Sequence, residues 1–341
     1  MARSRLAECL SSHHHEPAKD PYFTPSRLLQ VASSGDKVTI RLIEPQQPQP
    51  YLVLSYCWGG DQEQKLMTKN LELKKRNIIY DDLPRTITDA IKVTTKLGYE
   101  YIWIDSMCIV QDDDDDKMRE IPMMSQIYSQ ADMTLAIACA ATVTEGFLHH
   151  RRDTTVYGES YRLRFQCPDG QIGTVTAFND PNNRVMKSCP LSERGWTLQE
   201  RLLSTRMLEF SIKQARFICP NSEGRADCVD GWNILPTELY ADDNIPVMIS
   251  GHTFQLQDMW RAIVENFTTK RQLSVLADRP FAIMGIAKGI GNTVEDAYIA
   301  GHWLSTLPLD LLWQGSHPPI ILASRQRQPT WAWTSIDARI D

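Results

Sequence analysis

The stretch YIWIDSMCIVQDDDDDKMREIPMMSQIYSQA, residues 101–131, decides how this chain folds. Tyr101 to Val110 is apolar at nearly every position except Asp105, Ser106 and Cys108, so it reads as a strand covered on both faces, as at the centre of a parallel sheet. The aspartates Asp112 to Asp116 cannot be packed together without heavy desolvation and repulsion, and they mark a loop beyond the strand's carboxyl end. In open α/β sheets that edge is where ligands bind. A helix follows, with Ile121, Met124, Tyr128 and Ala131 on one stripe. Pro122 lacks an N–H and suits a first turn, which puts Glu120 at or just before the helix start and beside the same edge. There Glu120 either belongs to a site or, with the aspartates, complements the helix dipole.

Upstream, YLVLSY at 51–56 is a second continuous apolar strand, and it ends in Cys57, Trp58, Gly59 and Gly60. No phosphate-loop or dinucleotide spacing surrounds these glycines, so a tight turn is the first reading and close approach to a ligand the second. Leu83-Pro84 opens a helix through Ile87, Ala90, Ile91 and Leu97 that Gly98 closes. Downstream, MTLAIACAA at 133–141 is a third apolar strand. Strand, helix, strand, helix, strand predicts an α/β fold with a doubly wound parallel sheet.

The flanks differ in texture. Residues 1–36 are polar with no sustained periodicity and read as an arm, and KVTIRLI at 37–43 as a half-exposed lead-in strand. Past residue 145 come short alternating segments, YRLRFQC, GTVTAF, RMLEFSI and QARFIC, expected as antiparallel strands. Between them RGWTLQERLLS, residues 194–204, reads as a helix with Trp196 and Leu203 inward and Glu200 near its middle. LQDMWRAIVENFTTK and the segment opened by Arg279-Pro280 read as further helices, and TWAWTSI as a strand. The expected division is an arm and lead-in strand at 1–44, an α/β core with hairpins at 45–212, and a C-terminal α+β region rich in antiparallel strands at 213–341, packed on the core.

Composition narrows the function. The formal net charge is −6 with no basic run, which argues against nucleic acid. No run of about 18 apolar residues suggests a membrane span, and the first residues lack a signal-peptide core, so a cytoplasmic location is expected. The eight cysteines are scattered without a Cys-x-x-Cys, and reduced buried thiols are the expected state. Cys219 and Cys228 have no neighbouring Cys or His pair, and His13 to His15 form a short cluster that could bind metal but reads first as a solvated terminal loop, so no metal is expected.

Four residues carry candidate catalytic chemistry: Glu120, Glu200, Asp105 and Cys108. Asp105 sits near the end of an apolar strand, where unpaired burial is costly, and should be bound to Arg194 or to backbone amides. Glu200 is a second acid whose structural alternative is an ordinary salt bridge. Cys108 would need a nearby histidine to act as a nucleophile and otherwise reads as an inert core thiol.

YLVLSYCWGG at 51–60, LPRTITDAIKVTTKLGYEYIWIDSMCIVQDD at 83–113, the helix carrying Glu120, Met124, Ile127, Tyr128 and Ala131, and RGWTLQERLLSTRMLEFS at 194–211 resemble successive blocks of the fungal heterokaryon-incompatibility (HET) domain. The resemblance implies a fungal source and a role in regulated cell death when genetically different hyphae fuse. That family has been related distantly to TIR domains, which implies a flavodoxin-like strand order and, as in some TIR domains, hydrolysis of NAD by a glutamate on the helix after a central strand. By position that glutamate is Glu120. Ser55, Tyr56 and Trp58 resemble the entrance loop, and Gly59, Asp112 and Arg194 complete the expected binding set. The family usually has a tryptophan three residues before the glutamate, where this chain has Lys117. NAD enters as a substrate and no cofactor is implied. The expected partners are a second copy of the chain or an incompatibility sensor protein. Two other readings share the scaffold, a small-molecule enzyme of fungal secondary metabolism and a non-catalytic interaction module.

Overall fold

Leu52 to Tyr56 is buried at every position, and the sheet is built outward from it. The computed structural model describes residues 1–13, 15, 19–35, 37–149, 160–168, 170–178, 189–212, 214–219, 226–229, 256–321 and 329–340. The first helix, α1 (Ala2–Ser12), is followed by β1 (Leu28–Ser34), β2 (Lys37–Ile43) and β3 (Leu52–Ser55). After the short α2 (Leu71–Arg76), α3 (Arg85–Leu97) leads into β4 (Tyr101–Trp103), and α4 (Asp105–Cys108) and α5 (Asp114–Gln130) lead into β5 (Met133–Ile137). The hairpin β6 (Ser160–Gln166) and β7 (Ile172–Phe178) stands as its own two-stranded sheet. Then come α6 (Gly195–Leu203), β8 (Met207–Phe210), β9 (Ala215–Ile218) and β10 (Ala226–Cys228).

Eight strands form one mixed sheet in the order β10-β9-β8-β5-β3-β4-β1-β2. Its centre, β8-β5-β3-β4, is parallel, and the pairs outside it are antiparallel. The apolar runs named the parallel strands because both faces of a central strand are covered, and β3 and β5 are buried at every residue. Register aligns Val53 with Trp103 on one side and Ser55 with Ala136 on the other. Asp105, two residues past Trp103, is therefore level with Ser55 at the carboxyl edge.

The structure departs from the sequence reading in five places. The strand expected over 101–110 stops at Trp103, and Asp105–Cys108 turn into a buried helical turn closed by Cys108 N–H to Ile104 carbonyl at 2.8 Å. An apolar run reports burial, which a short helix shares with a strand. α5 starts at Asp114, not near Glu120, because the Asp113 side chain accepts from the Asp115 and Asp116 amides and so caps it. Pro122 lies inside that helix, and Asp116 is buried. Residues 1–36 supply α1 and β1, and β1 is hydrogen-bonded to β4. RMLEFSI yields β8, which runs parallel to β5 and lengthens the central sheet. TWAWTSI forms a short 3-10 turn at Trp333–Ser335 just before the last strand.

The C-terminal part adds α7 (Leu256–Lys270), α8 (Arg279–Val294), the small antiparallel pairs β11 (Tyr298–Ile299) with β12 (His302–Trp303), and β13 (Gly315–Ile321) with β14 (Ile336–Ile340). Leu198 of α6, Trp260 and Phe267 of α7, Ile283 and Ile286 of α8, Trp303 and Trp333 form a second apolar core there. Trp196 is half-buried and packs against both cores.

Candidate functional site

Polar side chains are dense at the carboxyl edge of β3 and β4, where the strands run out. Ser55 ends β3, and its hydroxyl donates to Oε2 of Glu200, which α6 brings down onto the edge. The Tyr128 hydroxyl, from α5, donates to the Leu54 carbonyl at 3.1 Å and also reaches Glu200. Arg194, at the residue before α6, donates through Nη1 to the Tyr56 carbonyl. Its charge faces both Glu200 and Asp105.

Asp105 is held as the sequence required. Oδ2 accepts from Trp58 Nε1 at 2.9 Å and Oδ1 from the Ser106 amide at 2.6 Å, so a backbone amide, an indole and the nearby Arg194 share the cost of its burial. The Tyr56 hydroxyl donates to Ser106 Oγ at 2.8 Å and receives Gln62 Nε2 at 3.0 Å. The result is layered. Glu200, Ser55, Tyr56 and Tyr128 are a buried floor, and Trp58, Asp105 and Arg194 form a half-buried rim.

Burial raises the Glu200 carboxyl to about 7, with Arg194 and the Ser55 hydroxyl pulling the other way. Burial also raises Asp105, again against Arg194. The edge thus holds an acid poised near neutrality beside a guanidinium, an indole and three hydroxyls. Such a set can take up or give a proton, or place negative charge against a developing cation. The same bonds fasten α6 to the sheet.

Of the residues picked from sequence, the fold brings together Ser55, Tyr56, Trp58, Asp105, Arg194 and Glu200. The other four have different surroundings. Glu120 is buried on α5, where Oε1 lies 3.6 Å from Arg27 Nη2. Arg27 also binds Asp116 at 2.5 Å and the Cys108 carbonyl at 2.6 Å. Cys108 is wholly buried in α4, and burial pushes its thiol up to about 12. Asp112 accepts from the Thr68 amide at 2.8 Å on the surface. Gly59 has φ +71°, and a Cβ there would come within 2.5 Å of Thr142, so it serves a turn pressed against a neighbouring loop. Helical periodicity shows Tyr128 only as part of an apolar stripe. Its hydroxyl is the signal that points to the site, because a buried tyrosine needs a partner.

Comparison with known proteins gives a family and one relative. Residues 51–200, which open just before β3 and close on Glu200, match the family model described as heterokaryon incompatibility protein (HET). The chain is similar to "Heterokaryon incompatibility protein 6, OR allele" of Neurospora crassa, at 31% identity over 97 residues, which cover 25% of this chain and 13% of that one. The chain thus matches only a small part of that relative's length. No solved structure matches. Among the described residues no helix is long and apolar enough to cross a membrane.

Proposed function

We propose that the chain is an effector of heterokaryon incompatibility that kills by hydrolysing NAD, with Glu200 as the working carboxylate. The observation that carries this reading is Glu200 itself, raised to about 7 by burial and set beside Ser55, Arg194 and Tyr128 at the carboxyl edge of parallel strands. In chain order the four parallel strands run second, first, third, fourth across the sheet, the order of flavodoxin-like sheets, whose ligands sit where the order reverses. That order supports the TIR-like reading, with the end of β3 at the reversal.

In the reaction, water adds to the anomeric carbon, nicotinamide leaves and a proton is released. The transition state resembles an oxocarbenium ion, which ionised Glu200 stabilises. Trp58 offers a ring face to the substrate and Arg194 a charge to its phosphates. The expected setting is the cytoplasm of fused cells. The expected trigger is self-association or contact with a sensor protein.

The test follows nicotinamide release from NAD by the purified chain and its Glu200→Gln and Glu120→Gln variants. Wild type should turn over, Glu200→Gln should lose about a hundred-fold or more, and Glu120→Gln should retain activity if folded. Loss in Glu120→Gln alone would move the chemistry to α5. No release by folded wild type in any oligomeric form would end the NAD reading.

A further inference from the structure

Far from this edge in sequence, two segments meet that the linear chain gives no reason to join. Cys9 lies near the end of α1 and His13 just beyond it, while Cys219 directly follows β9. The Cys9 and Cys219 sulfurs are 3.4 Å apart. His15 Nε2 lies 3.0 Å from the first and 3.4 Å from the second, and His13 Nδ1 lies 3.3 Å from Cys219 Sγ. All four donor atoms fall within 4.8 Å of one another. Cys219 has no histidine pair near it in sequence, and the fold brings one to it from the N-terminal segment that follows α1.

We propose that Cys9, His13, His15 and Cys219 form a structural zinc site that clasps the N-terminal helix to the end of β9. The donor chemistry, two thiolates and two imidazoles, is that of tetrahedral Zn2+. Zinc–ligand bonds of about 2.0–2.3 Å at tetrahedral angles set neighbouring donors roughly 3.3–3.8 Å apart, close to the separations seen. Both cysteines are buried, at 1% and 2% exposure, and the histidines close the outer side. Four protein ligands leave no open position, which marks a structural rather than a catalytic centre. Arg206 donates through Nε to Cys9 Sγ at 3.0 Å, the kind of outer hydrogen bond that steadies a thiolate ligand.

The clasp also answers a local problem. α1 has 11 residues and buries only Leu6 and Cys9, too little to hold a short helix that is marginal alone. A metal supplies the missing anchor, because binding free energy is folding free energy when the site exists only in the folded chain. Cys9 and Cys219 are 210 positions apart, so the clasp closes around the whole region that matches the HET family. The site is independent of the catalytic reading.

The full chain, purified under reducing conditions without chelator, should carry one zinc per molecule by elemental analysis. Replacing zinc with Co2+ should give the intense visible bands of a tetrahedral thiolate site. This readout needs no variant to fold. Cys9→Ser and His15→Gln should each weaken Co2+ binding at least a hundred-fold, and Cys139→Ser should not change it. Chelation of the wild type should lower the melting temperature and open the segment after α1 to protease. Folded, reduced wild type that shows no tetrahedral Co2+ spectrum would overturn the proposal, as would a Cys9–Cys219 disulfide found by mass spectrometry in that reduced protein.

Discussion

Glu200 is a carboxylate kept in a place that disfavours its charge. Its value is raised from 4.5 to about 7, so the folded state binds its proton more tightly than the unfolded chain does. Stability from this group is complete below about 4.5 and is lost as pH rises through about 7, by roughly 3 kcal/mol in all. Glu200→Gln removes the titration. The wild type should therefore fall in melting temperature relative to Glu200→Gln between pH 5 and pH 8, and a constant difference across that range would contradict the burial argument. Turnover by the proposed mechanism needs the ionised form and should rise over the same interval. Arg194 opposes the shift, so Arg194→Met should move the pH midpoint of turnover upward, and a midpoint left in place would separate Arg194 from Glu200. At this scale the sequence was informative about identity and poor about grouping. Asp105 stood out because a strand end gave it no solvent, and Trp58 and Ser55 because the end of the first apolar strand resembles the family's entrance loop. Which of two glutamates met them depended on where two helices landed, and helix periodicity does not report that.

Elements were legible where burial and period agree and misread where they diverge. β3 and β5 are covered on both faces, and their composition says so. α4 is buried from Ser106 to Cys108 and is not a strand. The aspartate run misled differently, since Asp113 caps α5, Asp114 and Asp115 fill its first turn, and Asp116 turns inward to Arg27. Pairing is what makes that burial tolerable. Arg27 sits between Asp116 and Glu120 at 8% side-chain exposure, so Arg27→Met should leave the buried Glu120 without its ion-pair partner and Asp116 with only the exposed Arg119, 3.1 Å away, and cost about 3–5 kcal/mol. Urea unfolding would read this, and a loss below about 1 kcal/mol would show the cluster to be well solvated. Trp333, at 2% exposure with its Nε1 bonded to the Gly301 carbonyl at 2.9 Å, belongs to the second core, and Trp333→Ala should cost about 3–5 kcal/mol in the same measurement.

The whole molecule is joined through α6, which gives Glu200 to the sheet edge and Leu198 to the C-terminal core. The HET match ends at residue 200, in the middle of this helix, so the matched region and the C-terminal part are held by one element. α8 presses on the joint at Gly285, whose amide donates to Gln199 Oε1 at 3.2 Å. A Cβ at Gly285 would come within 2.5 Å of that oxygen and 2.6 Å of the Ser125 Cβ on α5, whereas at Gly289, one turn on, it would meet only Leu203 Cδ2 at 3.4 Å. Glycine to alanine inside a helix ordinarily gains about 0.5–1 kcal/mol, and overpacking loses about 1–3. The two effects therefore predict opposite signs at neighbouring glycines of one helix. Gly289→Ala should hold or raise the melting temperature. Gly285→Ala should lower it and, by displacing Gln199 next to Glu200, should slow any turnover the wild type shows. Equal gains at both positions would mean that α8 does not seat against α5 and α6, and that the C-terminal region does not brace the site.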